Sequence, residues 1–233
     1  MLPPMQVLGR LVCTGLFVWC TMPSVASAQS AETVFVYAAG SLRAPLTQLA
    51  RDFESIKAGT KLELVFGASG LLKDRIAAHT SAETKPAHVF ASANMEHPQA
   101  LAAMGRFMPV QRFTRNTLCA LTALPTQLRE DNLVGVLLDP AIKLGISTPR
   151  ADPSGDYTWQ MFERIEATGA GPKGSADALK AKALQLTGGP NSPAPPANRN
   201  VYGVLASNGQ ADVFITYCTN AAVARAEVPS LRV

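Results

Sequence analysis

The sequence predicts an α/β fold, a largely parallel sheet with helices on both faces. Three observations predict it. Short segments with apolar residues at period two alternate along the chain with segments of period 3.6, the order expected when strands and helices take turns. Several strand-to-helix junctions carry a small residue and then a serine. Behind an N-terminal leader the chain keeps about 205 residues, enough to bury the core of one α/β domain or of two small lobes.

The leader decides the compartment. Arg10 precedes an apolar run over 11–20, followed by Pro23 and by Ala26-Ser27-Ala28, a small-x-small cleavage site. The run is about half of the ~20 residues that span a bilayer, so residues 1–28 are predicted to be a cleaved secretory signal peptide and the mature chain to start at Gln29. Export places the protein in an oxidising compartment. Cys13 and Cys20 leave with the leader; Cys119 and Cys218 stay, either as one disulfide closing a long loop or as two separate buried thiols. The spacing leaves both open, because sequence does not supply the distance between their Cα atoms.

The elements follow in order. Strands are predicted at 33–38 (TVFVYA), 62–66 (LELVF), 88–92 (HVFAS), 117–122 (TLCALT), 143–147 (KLGIS) and 212–217 (DVFITY), each a short apolar or alternating run rich in β-branched and aromatic residues. Helices are predicted between them. The clearest carries Leu42, Leu46, Leu49, Ala50 and Phe53 on one face; the others cover 70–79, 98–104, 156–167, 177–185 and 201–208. The stretch 188–200, GGPNSPAPPANRN, is too rich in proline and glycine for an element and reads as a surface loop before a helix. A milder composition shift at 112–116 marks a crossover between a first lobe, 29–115, and a second, 116–225.

Charge excludes one class of partner. The formal net charge is +4, and losing Arg10 with the leader lowers it by one. The basic residues Arg43, Lys57, Lys73, Arg75, Lys143, Lys180 and Lys182 sit among acids, without a basic run or interleaved aromatics, which argues against nucleic acid.

The chemistry lies in the junctions. Ser41 in AAGSL and Ser69 in FGASGLL each follow a strand and open a helix, and Ser154 in DPSGDYTW precedes another. There a hydroxyl and the free amides of a first helical turn point the same way, the arrangement that holds an oxyanion. One such serine alone is an ordinary N-cap; the repetition carries the reading. A serine hydrolase using Ser41 or Ser69 fits poorly. Gly67-Ala68-Ser69-Gly70 approaches a nucleophile elbow, but Leu71 stands where the second glycine belongs, and none of His79, His88 and His97 has an evident acid and serine partner. Their spacing of nine fits no metal-ligand pattern. The chain is read as a binding protein, not an enzyme.

AAGSL, FGASG, PAHVFASAN, the DPSG turn and VFITYCTNA stand in the order and spacing of the periplasmic molybdate-binding proteins of ABC importers, which the chain resembles as far as about Arg225. The resemblance implies a type II periplasmic-binding-protein fold, two α/β lobes joined by a hinge, with the anion in the cleft. It implies capture of molybdate or tungstate in the periplasm, no cofactor, a monomer, and delivery to an ABC permease in the inner membrane. Carried over by position, the ligands are the hydroxyls of Ser41, Ser69 and Tyr217 and the backbone amides of Ser154 and Val201. No bare metal cation is implied. Neutral, preorganised donors suit a dianion, and helix N-termini add partial positive charge without the flexibility of lysine. Arg43 and Arg199 are placed on solvated faces.

The pattern also departs from the family. His88 stands where relatives commonly have Asp, Asn94 where they often have another, and VFITYCTNA differs from the plainer tyrosine-glycine-serine version. These differences keep sulfate, phosphate or a small carboxylate open as the anion, for uptake or for sensing. Where relatives continue with further sheet and a C-terminal helix, this chain ends at Val233, so 226–233 is read as the start of a return to the first lobe whose remainder is truncated, with an expected loss of stability.

Overall fold

A computed structural model describes residues 32–78, 85–106, 109–194, 197 and 199–233. The leader, its proposed cleavage site and His79 lie outside them.

Two separate sheets organise the chain. β1 (Glu32–Ala39), β2 (Thr60–Gly67) and β3 (Val89–Ala91) form a three-stranded sheet in the order β2-β1-β3, parallel throughout. The second sheet takes β4 (Leu118–Thr122), β5 (Leu144–Ser147), β6 (Leu184–Thr187) and β7 (Val213–Tyr217) in the order β4-β7-β5-β6. There β7, β5 and β6 run parallel while β4 is antiparallel to β7. Parallel neighbours need a crossover, which helices supply. A 3-10 turn (Gly40–Leu42) and α1 (Arg43–Ile56) join β1 to β2, and α2 (Ser69–Ala77) leads from β2 toward β3. Then come α3 (Glu96–Ala103), α4 (Leu133–Leu138), α5 (Pro153–Ala167), α6 (Ser175–Lys182), α7 (Val201–Ser207) and α8 (Cys218–Glu227).

The second sheet is covered on both faces. Leu137, Leu144, Ile146, Phe162, Leu179, Val213 and Ile215 form one cluster, and Leu121, Leu205, Phe214, Ala221, Ala224 and Leu231 another. Successive β7 residues Val213, Phe214 and Ile215 fall in alternate clusters, as the period of two requires. Cys119 and Cys218 are joined as a disulfide with Cα atoms 4.9 Å apart, pinning the start of α8 to β4. Leu231 is buried in the second cluster and Arg232 exchanges backbone hydrogen bonds with Thr122, so the last residues lie against β4.

The first sheet is thinner. Tyr37, Leu72, Ile76 and Leu101 bury one face of it. Of the apolar stripe foreseen on α1, Ala50 is buried, Leu42 and Leu46 are half-buried, and Leu49 and Phe53 are 58% and 41% exposed, so the stripe is only partly covered among the described residues. His88 takes a structural place here. Its Nδ1 accepts the Phe35 amide at 2.9 Å while its own N–H donates to the Phe35 carbonyl, so imidazole and backbone together extend the β1–β3 ladder by one pair.

Two sequence expectations need correction. The helix expected over 177–185 stops at Lys182; Ala183 turns extended, and 184–187 pairs with β5 as an edge strand. The strand ends at Tyr217 as expected, but it passes directly into α8, a helix with no counterpart among those expected from the sequence.

Candidate functional site

The site is built where strands end. β1 and β2 are neighbours in register through Ala39 and Gly67, so the 3-10 turn with Ser41 and the first turn of α2 with Ser69 leave the first sheet at the same carboxyl edge. On the second sheet β5 ends at Ser147 and β7 at Tyr217, and the turns beyond them carry Ser154 on α5 and Cys218 on α8. Carboxyl edges of parallel strands are where open α/β sheets take their ligands.

The two edges touch. The amide of Gly70, in the first turn of α2, donates to the carbonyl of Ala151 at 2.9 Å, and Ala151 lies three residues before Ser154. The ring of Tyr217 packs edge-on against Tyr157 of α5, with centroids 6.5 Å apart. Ser69, Ser154 and Tyr217 thus gather around one junction. Val201 is the first residue of α7 and packs against the Leu121–Leu205–Phe214 cluster; the next residue, Tyr202, brings its hydroxyl to 3.5 Å from that of Ser147. Ser41 shares the first-sheet edge, half-buried, and makes no side-chain hydrogen bond among the described residues.

None of the three serines caps its helix. Ala39 and Ala68 occupy the cap positions ahead of Ser41 and Ser69, without side-chain bonds, and the cap of α5 is Asp152, whose Oδ1 accepts the Ser154 amide at 3.0 Å. The hydroxyls have other surroundings. Ser69 is buried and its Oγ accepts the Ala93 amide at 3.1 Å, so its own proton is directed elsewhere. The Ser154 Oγ and the Tyr217 hydroxyl are both buried without a hydrogen-bond partner, Tyr217 at 4% exposure. Leaving such groups unmatched costs about 1–3 kcal/mol each, and two of the unmatched groups among the described residues lie at this one junction. At α7, Asn200 Oδ1 accepts the Gly203 amide and Glu227 accepts the Asn200 amide, leaving the Val201 and Tyr202 amides without an acceptor among the described residues.

Electrostatics set Asp152 apart. Burial raises its carboxyl from an ordinary 3.8 to about 6, against the opposing pull of hydrogen bonds from the Ser154 amide and the Ser147 side chain. Burial, with Asp152 as the next cause, also pushes the phenols of Tyr217 and Tyr202 well above their usual range, so both remain protonated donors. Gly188, at φ 78°, backs this cluster: a Cβ there would stand 2.6 Å from Asp152 Oδ2, so glycine is required by conformation and by space. Of the two arginines near the motifs, Arg43 stacks on Phe66 at 4.4 Å and Arg199 pairs with Glu227 at 3.3 Å.

Sequence reasoning named the serines and Tyr217 but missed Asp152, Ser147 and Tyr202. The signal for Asp152 was present: Asp followed by Pro is the signature of a cap and a first helical residue. For the Ser154 amide the geometry differs from the reading, because that amide is already engaged by Asp152 and only the hydroxyl is unmatched.

A family model described as bacterial extracellular solute-binding protein matches residues 34–233. An uncharacterized protein of Pasteurella multocida is 36% identical over 190 residues, which cover 79% of this chain and 73% of that one. Among solved structures, the periplasmic molybdate-binding protein of Azotobacter vinelandii superposes with a TM-score of 0.57 at 23% identity, over 79% of this chain and 71% of its own. The sulfate-binding protein SubI of Mycobacterium tuberculosis superposes at 0.66 and 13% identity, over 86% and 70%. Both likenesses establish the two-lobed α/β fold of periplasmic binding proteins.

Proposed function

Because the chain belongs to the bacterial extracellular solute-binding protein family, we propose that it captures a tetrahedral oxyanion, molybdate or tungstate, between its two sheets and hands it to an ABC permease. The observation that carries the proposal is the pair of buried, unpartnered hydroxyls, Ser154 and Tyr217, beside a Ser69 hydroxyl whose acceptor side is filled by Ala93. All three offer protons to an incoming anion. Charge-assisted bonds from neutral donors hold a dianion about twice as strongly as bonds between neutral groups. Ser41 and the Val201 amide complete the donor set from the first sheet and from α7. The protein acts in the periplasm, as a monomer, without a cofactor, once residues 1–28 are removed.

Selectivity follows from size. An anion with long metal–oxygen bonds reaches donors that the smaller sulfate leaves unsatisfied, at about 1–3 kcal/mol for each bond unmade. Asp152 favours a second reading: its half-buried carboxylate, beside the donors, accepts a hydrogen bond from the O–H of a protonated anion such as hydrogen phosphate.

Titration calorimetry with molybdate, tungstate, sulfate and phosphate separates these readings. Tightest binding of the first two is expected, with Ser69→Ala and Tyr217→Phe each weakening it by about tenfold, the loss of one charge-assisted bond of ~1.5 kcal/mol. Heat from phosphate alone would move the assignment to the second reading, and no heat from any of the four would end both.

A further inference from the structure

Among the described residues, Gly70 is the one through which the first sheet's helix touches the second sheet's site loop by a backbone hydrogen bond. Its backbone is right-handed helical, so conformation alone does not call for glycine; in a helix alanine is the better residue. Space does call for it. A Cβ at position 70 would stand 2.6 Å from the carbonyl oxygens of both Arg150 and Ala151, and these are backbone atoms that cannot swing aside. Facing it, Arg150 holds φ at 69°, the only non-glycine residue with positive φ among those described. The Arg150 amide is fixed there by Asp156 Oδ1 at 2.6 Å. Backbone strain of this kind persists where the surroundings over-determine it, and it clusters at clamps. The strained loop runs straight into Asp152, Pro153 and Ser154, while Gly70 follows Ser69.

We propose that Gly70 is a positioning residue for ligand capture: its missing side chain lets the 150–151 carbonyls dock on the first turn of α2, which brings Ser69 to face Ser154 and Tyr217. The α2 terminus thereby gives one of its amides to the opposite lobe and not to the ligand. A methyl group at this position holds the two edges apart. The consequence for anion affinity rests on the oxyanion reading; the docking of the edges does not.

The test uses the full mature chain with spin labels introduced at the exposed positions Arg51 and Lys173, one on each lobe. Pulsed electron resonance is expected to give a narrow, short label separation in the unsubstituted protein and a longer, broader one in Gly70→Ala. If the loss of docking in Gly70→Ala leaves about a tenth as much of the protein competent, the apparent affinity for molybdate falls about tenfold. That loss is expected in slower apparent association, because only the competent fraction binds, with dissociation little changed. Helix propensity gives a purely local change the opposite sign: without the contact, Gly70→Ala would raise the melting temperature and leave affinity and label separation alone, and that result overturns the proposal. Asp156→Ala, which frees the Arg150 amide, opens the edges in the same direction and decides the matter if Gly70→Ala does not fold; wild-type separations in Asp156→Ala would then refute it. If none of molybdate, tungstate, sulfate and phosphate binds the unsubstituted protein, the oxyanion reading fails, while the label separations still judge the contact.

Discussion

Replacing Asp152 by asparagine isolates the energetic load of the buried carboxylate from its role as a helix cap. Asparagine caps as well as aspartate, and its Oδ1 can accept the Ser154 amide as the carboxylate does at 3.0 Å. What changes is ionisation. Burial holds the Asp152 carboxyl at about 6 in the folded state against an ordinary 3.8. Between those values the native state binds more protons than the unfolded state, so this group's contribution to stability falls as pH rises from 3.8 and is fully lost above about 6. At ~1.4 kcal/mol per tenfold change in proton affinity, the ionised carboxylate costs on the order of 3 kcal/mol at pH 8. Asp152→Asn should therefore be more stable than the unsubstituted protein by up to about 3 kcal/mol at pH 8 and equal to it below about pH 4. Urea denaturation of the two proteins at pH 4, 6 and 8 reads the difference directly, since every other titrating group cancels in the comparison. Equal stability at pH 8, or a difference that does not change with pH, would refute the account of Asp152.

Other parts of the molecule make separate predictions. His97 has the opposite sign: burial lowers its imidazole below the ordinary 6.5 and its Nε2 has no partner, so the unfolded state gains the proton first and stability drops as pH falls below that value. His97→Leu should flatten that drop in melting curves taken from pH 7 to 5. Reduction of the Cys119–Cys218 bond, which spans 99 residues of chain, should remove about 3–5 kcal/mol in urea denaturation with and without a thiol reductant. Phe162, fully buried between α5 and the second sheet, should cost about 3–5 kcal/mol when cut to alanine, measured the same way.

Much of this fold was legible because its strands are short, apolar and flanked by punctuation. All six predicted strands fall on observed ones within two residues, and the helices opening at Ser69 and Val201 start within one residue of the expected places. The failures share a cause. Between α6 and β6 no glycine or proline interrupts KAKALQLT, so the helical spacing of Leu179 and Leu186 runs on past the point where Ala183 turns extended. Between β7 and α8 the chain turns at Tyr217 with no polar cap, and Cys218 is tied by its disulfide to β4 but carries no sequence signal of a helix start. α4, LVGVLL, is apolar over all six residues and offers no period to read. The stripe on α1 was read correctly as a pattern, yet pattern carries no information about whether a second layer covers it.

The site was legible by position and less so by chemistry. Serines that follow strands can be read from sequence, but whether each hydroxyl caps its own helix or looks outward depends on who occupies the cap. Here alanine stands ahead of Ser41 and Ser69, and Asp152 takes the Ser154 amide, so the hydroxyls are released from local duty by residues that carry no obvious functional mark. The same logic explains Gly70 and Gly188. Each is adjacent to a group of the site, Ser69 in one case and Asp152 in the other, and at each an added Cβ would stand 2.6 Å from a neighbouring oxygen. A donor set for an anion is therefore specified as much by the residues that withhold a cap or a side chain as by those that present a hydroxyl, and only the latter are visible one at a time in a sequence.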